Sequence, residues 1–405
     1  KKWWISHKMK ILQINCVYDY GSTGKITRDI HKSLQKNGFD SVVLYGRRQK
    51  VQEAGVYKTC TEFEAKAWNV LSRLTGQPYA VTPFGTLTLL HRLEREKPDV
   101  VNVHNLYPFI SPAALFECRK AGVPVVMTVH NYRLICPTGL FMRNGKPCEL
   151  CLEKGNEWGC IRYNCEHSLL KSVGYAARNA VARLSKAYSE CVDKFACITD
   201  FQRKKLIEAG FAADRITVIP NSMEAPVSYM PSTGDYVAYI GRLSYEKGFD
   251  LLIEVARRHP EIAFRFAGAQ RSATSIEIPG NVTFMGYLHG KELEDFIRNS
   301  RFIVMPSRCY EGFPMAILEA AQYGKPSIGP DHGGFTEIIG KGEKAIGRLF
   351  IPNDIANLEQ QIATLWEQPK MVEELGEKAF RKLQQEYATE VVYQKWTNLM
   401  HLILE

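Results

Sequence analysis

Short Val- and Ile-rich runs, each divided from the next by a stretch of helical periodicity, occur in two successive series, and no other feature limits the fold of this chain as tightly. KILQINCV at 10–17 is apolar and short; DYGSTG follows, then KITRDIHKSLQKNG, which reads as strand, glycine-bearing turn and helix. DSVVLYG, VVNVH (100–104) and VPVVMTVH (123–130) are further strands, the last preceded by the helical AALFECRKAG. A helix over about 169–188, the strand FACITD, the helix FQRKKLIEAG and the strand ITVIP complete the first series. The second runs YVAYIG, FDLLIEVARRH, IAFRFAG, VTFMG, KELEDFIRNS, RFIVMP, PMAILEAAQYG and KPSIG, then a helical series from about Asn353. Such runs between helices are the strands of a parallel sheet covered on both faces.

Two series predict two α/β domains, one over 9–222 and one over 223–387, with the boundary in NSMEAPVSYMPSTGD. The last segment, 388–405, ends too apolar to be a tail and is predicted to pack back on the first domain. Parallel sheets bind ligands at the C-terminal ends of their strands, so two facing sheets predict one cleft. No apolar run approaches the roughly 20 residues that cross a bilayer. KKWWISHK lacks the apolar core and cleavage site of a secretory signal, and Met9 reads as the natural start. The preceding residues are open between an added remnant, a native extension and a membrane-surface anchor. Eleven scattered cysteines, an odd number in a chain with room for a core, predict a reducing compartment, hence the cytoplasm. Residues 1–220 hold 33 Lys and Arg against 19 Asp and Glu, whereas 221–405 hold 19 against 24. A basic first half suits an anionic acceptor, an anionic leaflet or a nucleic acid, and charge alone does not choose.

The second half carries the stronger chemistry. GRLSYEKG (241–248) puts Arg242 and Lys247 in a loop after a strand, where a forked donor and a point charge suit a diphosphate, although the pattern taken alone fits an ordinary solvated loop somewhat better. In SRCYEGFPMAILEAAQYGKP, Pro314 fits the first position of a helix, leaving the amides of Gly312 and Phe313 at a helix start. Glu311 sits before that helix and Glu319 about two turns later, eight residues away, a spacing that on one continuous helix is about 80° and 12 Å. One carboxylate then serves the sugar end of a long ligand and the other its ribose; the bland reading is a loop charge and a helix-face charge.

These segments resemble glycosyltransferase family 4, retaining transferases of the two-domain GT-B fold. EGFPMAILEAAQYGKP is similar to the family's Glu, seven residues, Glu motif, GRLSYEKG to its phosphate loop, and VIPNSME to its boundary segment, with Ser222 and Glu224 departing from the commoner Gly and Asp. The resemblance covers nearly the whole chain. It implies that Arg242 and Lys247 grip the diphosphate of a nucleotide sugar, that Glu319 meets ribose and Glu311 the donor sugar, and that Gly312 and Phe313 donate amides. It places Leu288 of MGYLHG against the base.

In the first half, G-S-T-G (21–24) lacks both the dinucleotide fingerprint and the GxxxxGK[ST] phosphate loop, so a structural turn competes with a ligand loop. The resemblance makes Gly21 and Gly24 donor-side candidates. His130 ends a parallel strand and points to the cleft edge, where a satisfied structural histidine is an equal reading. The family has His-Asp here, with the histidine near the donor sugar; this chain has His130-Asn131. His104, Asn105 and Arg133 are acceptor-side candidates.

Cys148, Cys151, Cys160 and Cys165, spaced C-x2-C-x8-C-x4-C in a polar insertion over 136–165, suit a structural zinc, unligated thiols or a redox site, with Cys136 as a substitute ligand. No catalytic cofactor is expected: there is no Asp-x-Asp, and two cations with backbone amides supply the charge that a divalent ion otherwise would. The reading is therefore a retaining glycosyltransferase acting on a glycan or lipid-linked acceptor in polysaccharide or glycoconjugate synthesis, at the inner face of the cytoplasmic membrane. A nucleotide-sugar epimerase or hydrolase of the same fold, and a non-enzymatic basic binding protein, are the alternatives. Nucleic acid is not an expected partner, because the basic residues are dispersed and no base-reading motif accompanies them.

Overall fold

The computed structural model describes residues 8–59, 83–106, 112–226, 228–229, 234–269 and 277–404. Residues 1–7 and parts of the boundary segment (227 and 230–233) therefore lie outside the described residues. Strands are numbered along the chain. The first nine are β1 (Lys10–Val17), β2 (Asp40–Arg47), β3 (Val56–Lys58), β4 (Val100–Val103), β5 (Val125–Val129), β6 (Met142–Arg143), β7 (Lys146–Pro147), β8 (Lys194–Cys197) and β9 (Ile216–Val218). Then come β10 (Tyr236–Ile240), β11 (Ala263–Ala267), β12 (Val282–Gly286), β13 (Ser300–Val304), β14 (Ser327–Pro330) and β15 (Gly347–Phe350). The helices that bear on function are α1 (Gly21–Lys36), α2 (Leu169–Leu184), α3 (Phe249–Arg258), α4 (Met315–Ala321), α5 (Gly333–Ile339) and α6 (Thr389–Leu402).

Both predicted sheets are present and parallel. One has the order β3-β2-β1-β4-β5-β8-β9 and the other β12-β11-β10-β13-β14-β15; β6 and β7 form a separate antiparallel hairpin. Ile11, Leu12 and Ile14 of β1, Val43 and Leu44 of β2 and Val100, Val101 and Val103 of β4 are fully buried. Helices cover both faces, which is why these strands are continuously apolar instead of alternating. In the second sheet Val237, Tyr239, Phe264, Phe266 and Phe302 pack with Leu252, Val255 and Ala256 of α3.

Strand order locates the ligand edges. In the first sheet the chain moves outward from β1 to β3 and then returns to β4 on the other side of β1; in the second it moves from β10 to β12 and returns to β13. At such a reversal the loops after two adjacent strands diverge and leave a crevice. The crevices therefore fall after β1 and β4, and after β10 and β13.

The chain divides into two compact units. Unit 1 is Lys1–Gly139, Glu149–Pro220 and Tyr393–Glu405, and unit 2 is Leu140–Cys148 and Asn221–Val392. Within unit 1 the Phe39 ring lies 6.5 Å from that of Tyr393 and 6.3 Å from that of His401, on the last helix. Local details depart from the sequence reading. The helix expected to 188 stops at Leu184, because Lys186 adopts φ 57°, and a short helix Ala187–Cys191 follows. Strands β3 and β15 and the helix Pro83–Glu96 were not anticipated. GSTG is no loop: it forms the first turn of α1, and the link from β1 is Tyr18–Tyr20 with Asp19 at φ 50°. No helix among the described residues is long and apolar enough to cross a membrane.

Candidate functional site

Two loops of unit 2 converge at the β10/β13 crevice. The first, Gly241–Gly248, runs from β10 into a short 3-10 turn, Tyr245–Lys247, and then α3. The second, from Met305 to Pro314, runs from β13 to α4. Lys247 Nζ forms an ion pair with Glu311 Oε1, and Ser307 Oγ donates to the same oxygen at 2.8 Å. Burial opposes the charge on both partners. The Lys247 charge and the hydrogen bonds from Lys247 and Ser307 nevertheless hold Glu311 below the usual carboxylate range, and Glu311 holds Lys247 above the usual amine value. Arg242 Nη2 lies 3.1 Å from Glu246 Oε1, with its side chain 39% exposed.

Arg308, which sequence reasoning missed, joins the loops. Its guanidinium grips both oxygens of Asp250 at 2.6 Å, donates to the Tyr245 carbonyl at 2.8 Å and lies over the Tyr245 ring, while its amide donates to the Glu246 carbonyl at 2.9 Å. A bidentate pair of this kind fixes geometry as well as charge. The Glu311–Gly312 backbone rests on the start of α5: Gly334 N donates to Glu311 O at 2.9 Å, and a Cβ on Gly334 would come within 2.5 Å of Gly312 O. Beside it His332, also missed, packs on Tyr310 with ring centroids 5.3 Å apart, and burial depresses its pKa to about 4. The signal was there to read: a Gly-Gly helix start directly after a core strand, headed by a histidine.

The helix that follows Glu311 starts one residue later than the sequence suggests. α4 begins at Met315, and Pro314 is its cap residue in an extended conformation, not its first helical position. Glu311 precedes the helix and Glu319 lies on it, as the sequence placed them, so the 80° figure for one continuous helix does not describe the pair. Phe313 is buried, with its ring against Tyr387 at 5.6 Å, and Gly312 is half-buried. After the edge strand β12, Leu288 is half-buried between exposed Tyr287 and His289, whose rings stack 6.1 Å apart.

In unit 1 the ends of β4 and β5 and the loops after them gather His104, Asn105, His130, Asn131 and Arg133 around a cleft of about 50 Å³. Asn105 Oδ1 accepts from Asn131 at 3.2 Å and its amide donates to Asn15 Oδ1 at 3.3 Å, tying the ends of β1, β4 and β5 together. His104 is buried and engaged inward: Nδ1 is 2.9 Å from His130 Nε2, and Nε2 is 3.1 Å from Gln13 Oε1 and 3.3 Å from Asn102 Nδ2. It is placed to hold His130, not to meet an acceptor. Gln13 donates its amide to Ser41 at 3.1 Å and so presents its carbonyl oxygen to His104. Across the contact between the two rings one nitrogen donates and the other accepts. Arg133 is exposed. Gly24 is buried, where a Cβ would press on Val17 and Asp19 at 3.2 Å, whereas Gly21, at φ 62°, faces open space.

Burial depresses His130 to about 4, and burial, then the charge of His130, takes His104 well below the ordinary histidine value. His130 is therefore a neutral imidazole at neutral pH. Side-chain NMR of the histidines should show two rings titrating near pH 4, those of His130 and His332, of which one is lost in His130→Gln; a His130 midpoint above 6 would contradict the structure. Because the unfolded ring binds its proton near 6.5 and the folded one near 4, the stability this ring contributes is present above 6.5 and is lost as pH falls toward 4.

The cysteine segment is divided between the units: Cys148 falls in unit 2, and Cys136, Cys151, Cys160 and Cys165 in unit 1. Cys160 is buried; the hydrogen bond with Cys165, then burial, then the charges of Cys165, Cys151 and Cys136 push its thiol pKa strongly upward. Among the described residues no three His, Cys, Asp or Glu side chains converge closely enough to hold a metal ion.

Comparison with known proteins matches two family models end to end. Residues 23–224 match the model described as Glycosyltransferase Family 4, and 224–382 that described as Glycosyl transferases group 1. An uncharacterized 42.6 kDa protein in the cps region of Klebsiella pneumoniae is 26% identical over 270 residues, covering 65% of this chain and 64% of that protein. Glycogen synthase of Mycobacterium tuberculosis is 25% identical over 315 residues, covering 73% of this chain and 67% of that protein. In fold the chain is similar to sucrose-phosphate synthase from Thermosynechococcus elongatus, with TM-score 0.71, 14% identity and 98% and 99% of the two chains covered. It is also similar to Anabaena HepE in complex with UDP and glucose, with TM-score 0.68, 15% identity and 97% and 100% covered. With two parallel sheets, a cation and carboxylate cluster at the second switch point and both family models in register, the chain belongs to the group 1, family 4 glycosyltransferases of GT-B fold.

Proposed function

We propose that this chain transfers a glycosyl group from a nucleotide diphosphate sugar to a glycan or lipid-linked acceptor with retention at the anomeric carbon. The observation that carries the reading is the Lys247–Glu311 pair, with Arg242 beside it, at the β10/β13 switch point. The bond from C1 to the diphosphate oxygen breaks as that from C1 to the acceptor oxygen forms on the same face, and the acceptor proton passes to the leaving phosphate oxygen. Negative charge grows on that phosphate, so Arg242, Lys247 and the Gly312 and Phe313 amides stabilise the transition state more than the ground state. Glu311 accepts from donor-sugar hydroxyls, Glu319 from ribose, and Leu288 with Tyr287 meets the base. His130, neutral and held by His104, offers a ring nitrogen to a sugar hydroxyl. Lipid-linked acceptors would place the chain at the inner face of the cytoplasmic membrane, in polysaccharide or glycoconjugate synthesis.

The test is calorimetric titration with UDP, GDP, ADP and their sugars without added metal. Anabaena HepE, similar in fold, is described in complex with UDP and with UDP-glucose, which puts uridine nucleotides first. Micromolar binding of one series supports the reading. No binding across the panel overturns it, as does a product whose anomeric configuration by proton NMR is opposite to the donor's. A structural zinc on the cysteine segment is a separate proposal, decided by metal analysis of the purified chain; a stoichiometric ion supports it and a metal-free folded chain refutes it.

A further inference from the structure

The hairpin β6–β7 is too short to hold itself. Its strands are two residues each, joined by Asn144 and Gly145 at φ 50° and 72°, the pair of left-handed residues that a tight two-residue turn requires. A bond from Cys148 N to Phe141 O at 2.7 Å adds one rung. A lone two-stranded hairpin is marginal in water, so this one takes its place from what it packs on. It is encoded between segments of unit 1 and yet belongs to unit 2.

Within unit 2 its contacts fall on both loops of the candidate donor site. Phe141 is 1% exposed, and its ring lies 6.0 Å from that of Tyr310, the residue directly before Glu311. Phe141 sits at φ 47°, a left-handed conformation that a bulky side chain holds only where its surroundings impose it. At the turn Gly145 is buried, and a Cβ on it would run into Tyr245 Oη and come within 3.5 Å of Arg308 Cδ. Asn353 Nδ2, from the loop after β15, donates to Gly145 O at 2.9 Å. Tyr245 opens the 3-10 turn that Lys247 closes, and the Arg308 guanidinium lies 4.2 Å from its ring centre. Each member of the Lys247–Glu311 pair is thus flanked in sequence by a tyrosine that the hairpin touches.

We propose that this hairpin, through Phe141 and Gly145, positions the donor site: Phe141 fixes Tyr310 and with it Glu311, and Gly145 fixes Tyr245 and with it Lys247. The two residues act through the tyrosines and touch no reacting atom. The proposal rests on the donor reading of the Lys247–Glu311 pair and adds to it a part of the site encoded in the first half of the chain. Precision of this kind has chemical weight, because misplacing a group by about 1 Å costs a reaction about 10²-fold.

The experiment is calorimetric titration of the full chain with UDP, GDP and ADP, together with hydrogen–deuterium exchange of the unliganded chain. The chains compared are the native one, Gly145→Ala, Asn144→Ala, Tyr245→Phe, and Gly145→Ala with Tyr245→Phe. Gly145→Ala should bind the nucleotide that the native chain prefers about fivefold to tenfold more weakly, and should exchange several-fold faster over 242–247 and 308–312. Asn144→Ala also puts an alanine at a left-handed turn position, but an exposed one, so it should bind within about twofold of native and separates a weakened turn from a displaced tyrosine. Tyr245→Phe removes the hydroxyl that the new methyl meets, so the double variant should bind nearly as well as Tyr245→Phe alone, a rescue that general loss of stability does not give. Should Gly145→Ala fail to fold, Asn353→Gly takes its place: it keeps the left-handed backbone, deletes only the bond to Gly145 O, and should weaken binding about twofold to threefold with faster exchange over 242–247. A native chain that binds none of the three nucleotides removes the donor reading and this proposal with it. A native chain that binds, with Gly145→Ala, or Asn353→Gly in its place, binding equally well, overturns the proposal alone. So does a loss in Gly145→Ala that Asn144→Ala matches or that Tyr245→Phe leaves unrelieved.

Discussion

Replacing Lys247 with alanine should lower kcat by about 10²–10³, with a smaller change in KM, because the ammonium is worth most once charge has moved to the departing phosphate. Arg242→Ala should act in the same sense, and the double variant should fall below detectable transfer while nucleotide affinity drops at least tenfold. Lys247→Ala also leaves Glu311 buried without its counter-charge, costing up to about 3 kcal/mol of stability, so lost activity alone would be ambiguous. Adding Glu311→Gln separates the two effects. The neutral amide needs no cation, so Lys247→Ala with Glu311→Gln should regain most of the lost thermal stability and none of the lost transfer. Near-native kcat in the folded double variant would remove Lys247 from the mechanism.

Gly248→Ala is expected to damage the same site through the backbone. Gly248 closes the phosphate loop at φ 68° and opens α3, and a Cβ there would run into the Pro306 carbonyl oxygen of the neighbouring loop. The left-handed conformation alone costs an alanine about 1–2 kcal/mol, and the collision forces one loop away from the other for about 1–3 kcal/mol more. Arg308 resists that displacement through Asp250 and the Tyr245 and Glu246 backbones, so strain spreads to Lys247 instead of being relieved at the surface. The variant should melt several degrees lower and bind nucleotide at least tenfold more weakly. A Gly248→Ala chain with native melting temperature and native affinity would show that the loops are not locked. Gly21→Ala, at a positive φ but facing open space, should pay only the conformational part.

Some of this was legible in the chain as written. Short continuous apolar runs announce buried parallel strands, because a strand covered on both faces has no polar side to show, and their alternation with helices announced two sheets. Arg242, Lys247 and Glu311 could be picked out as charged residues beside glycines after core strands, and Glu319 by its spacing from Glu311 within a segment that resembles the family motif. The extent of α4, by contrast, was misjudged: Pro314 fits both a first helical position and a cap, and its backbone angles decide between them only once the preceding loop is packed on Gly333 and Gly334. GSTG was read as a loop because glycines usually break helices, whereas here Gly24 permits α1 to close on the end of β1.

What the sequence determined by itself, then, was the class of fold and the residue types at its ligand edge, since both follow from periodicity and from chemistry local to a few neighbours. Tertiary structure alone decided that Arg308 clasps Asp250 across 58 residues, that His104 turns inward to Gln13 and His130, and that α2 shows its leucines outward. Each depends on which face of an element meets which partner. That choice is set by strand order and helix rotation summed over the whole core, and no single segment encodes it.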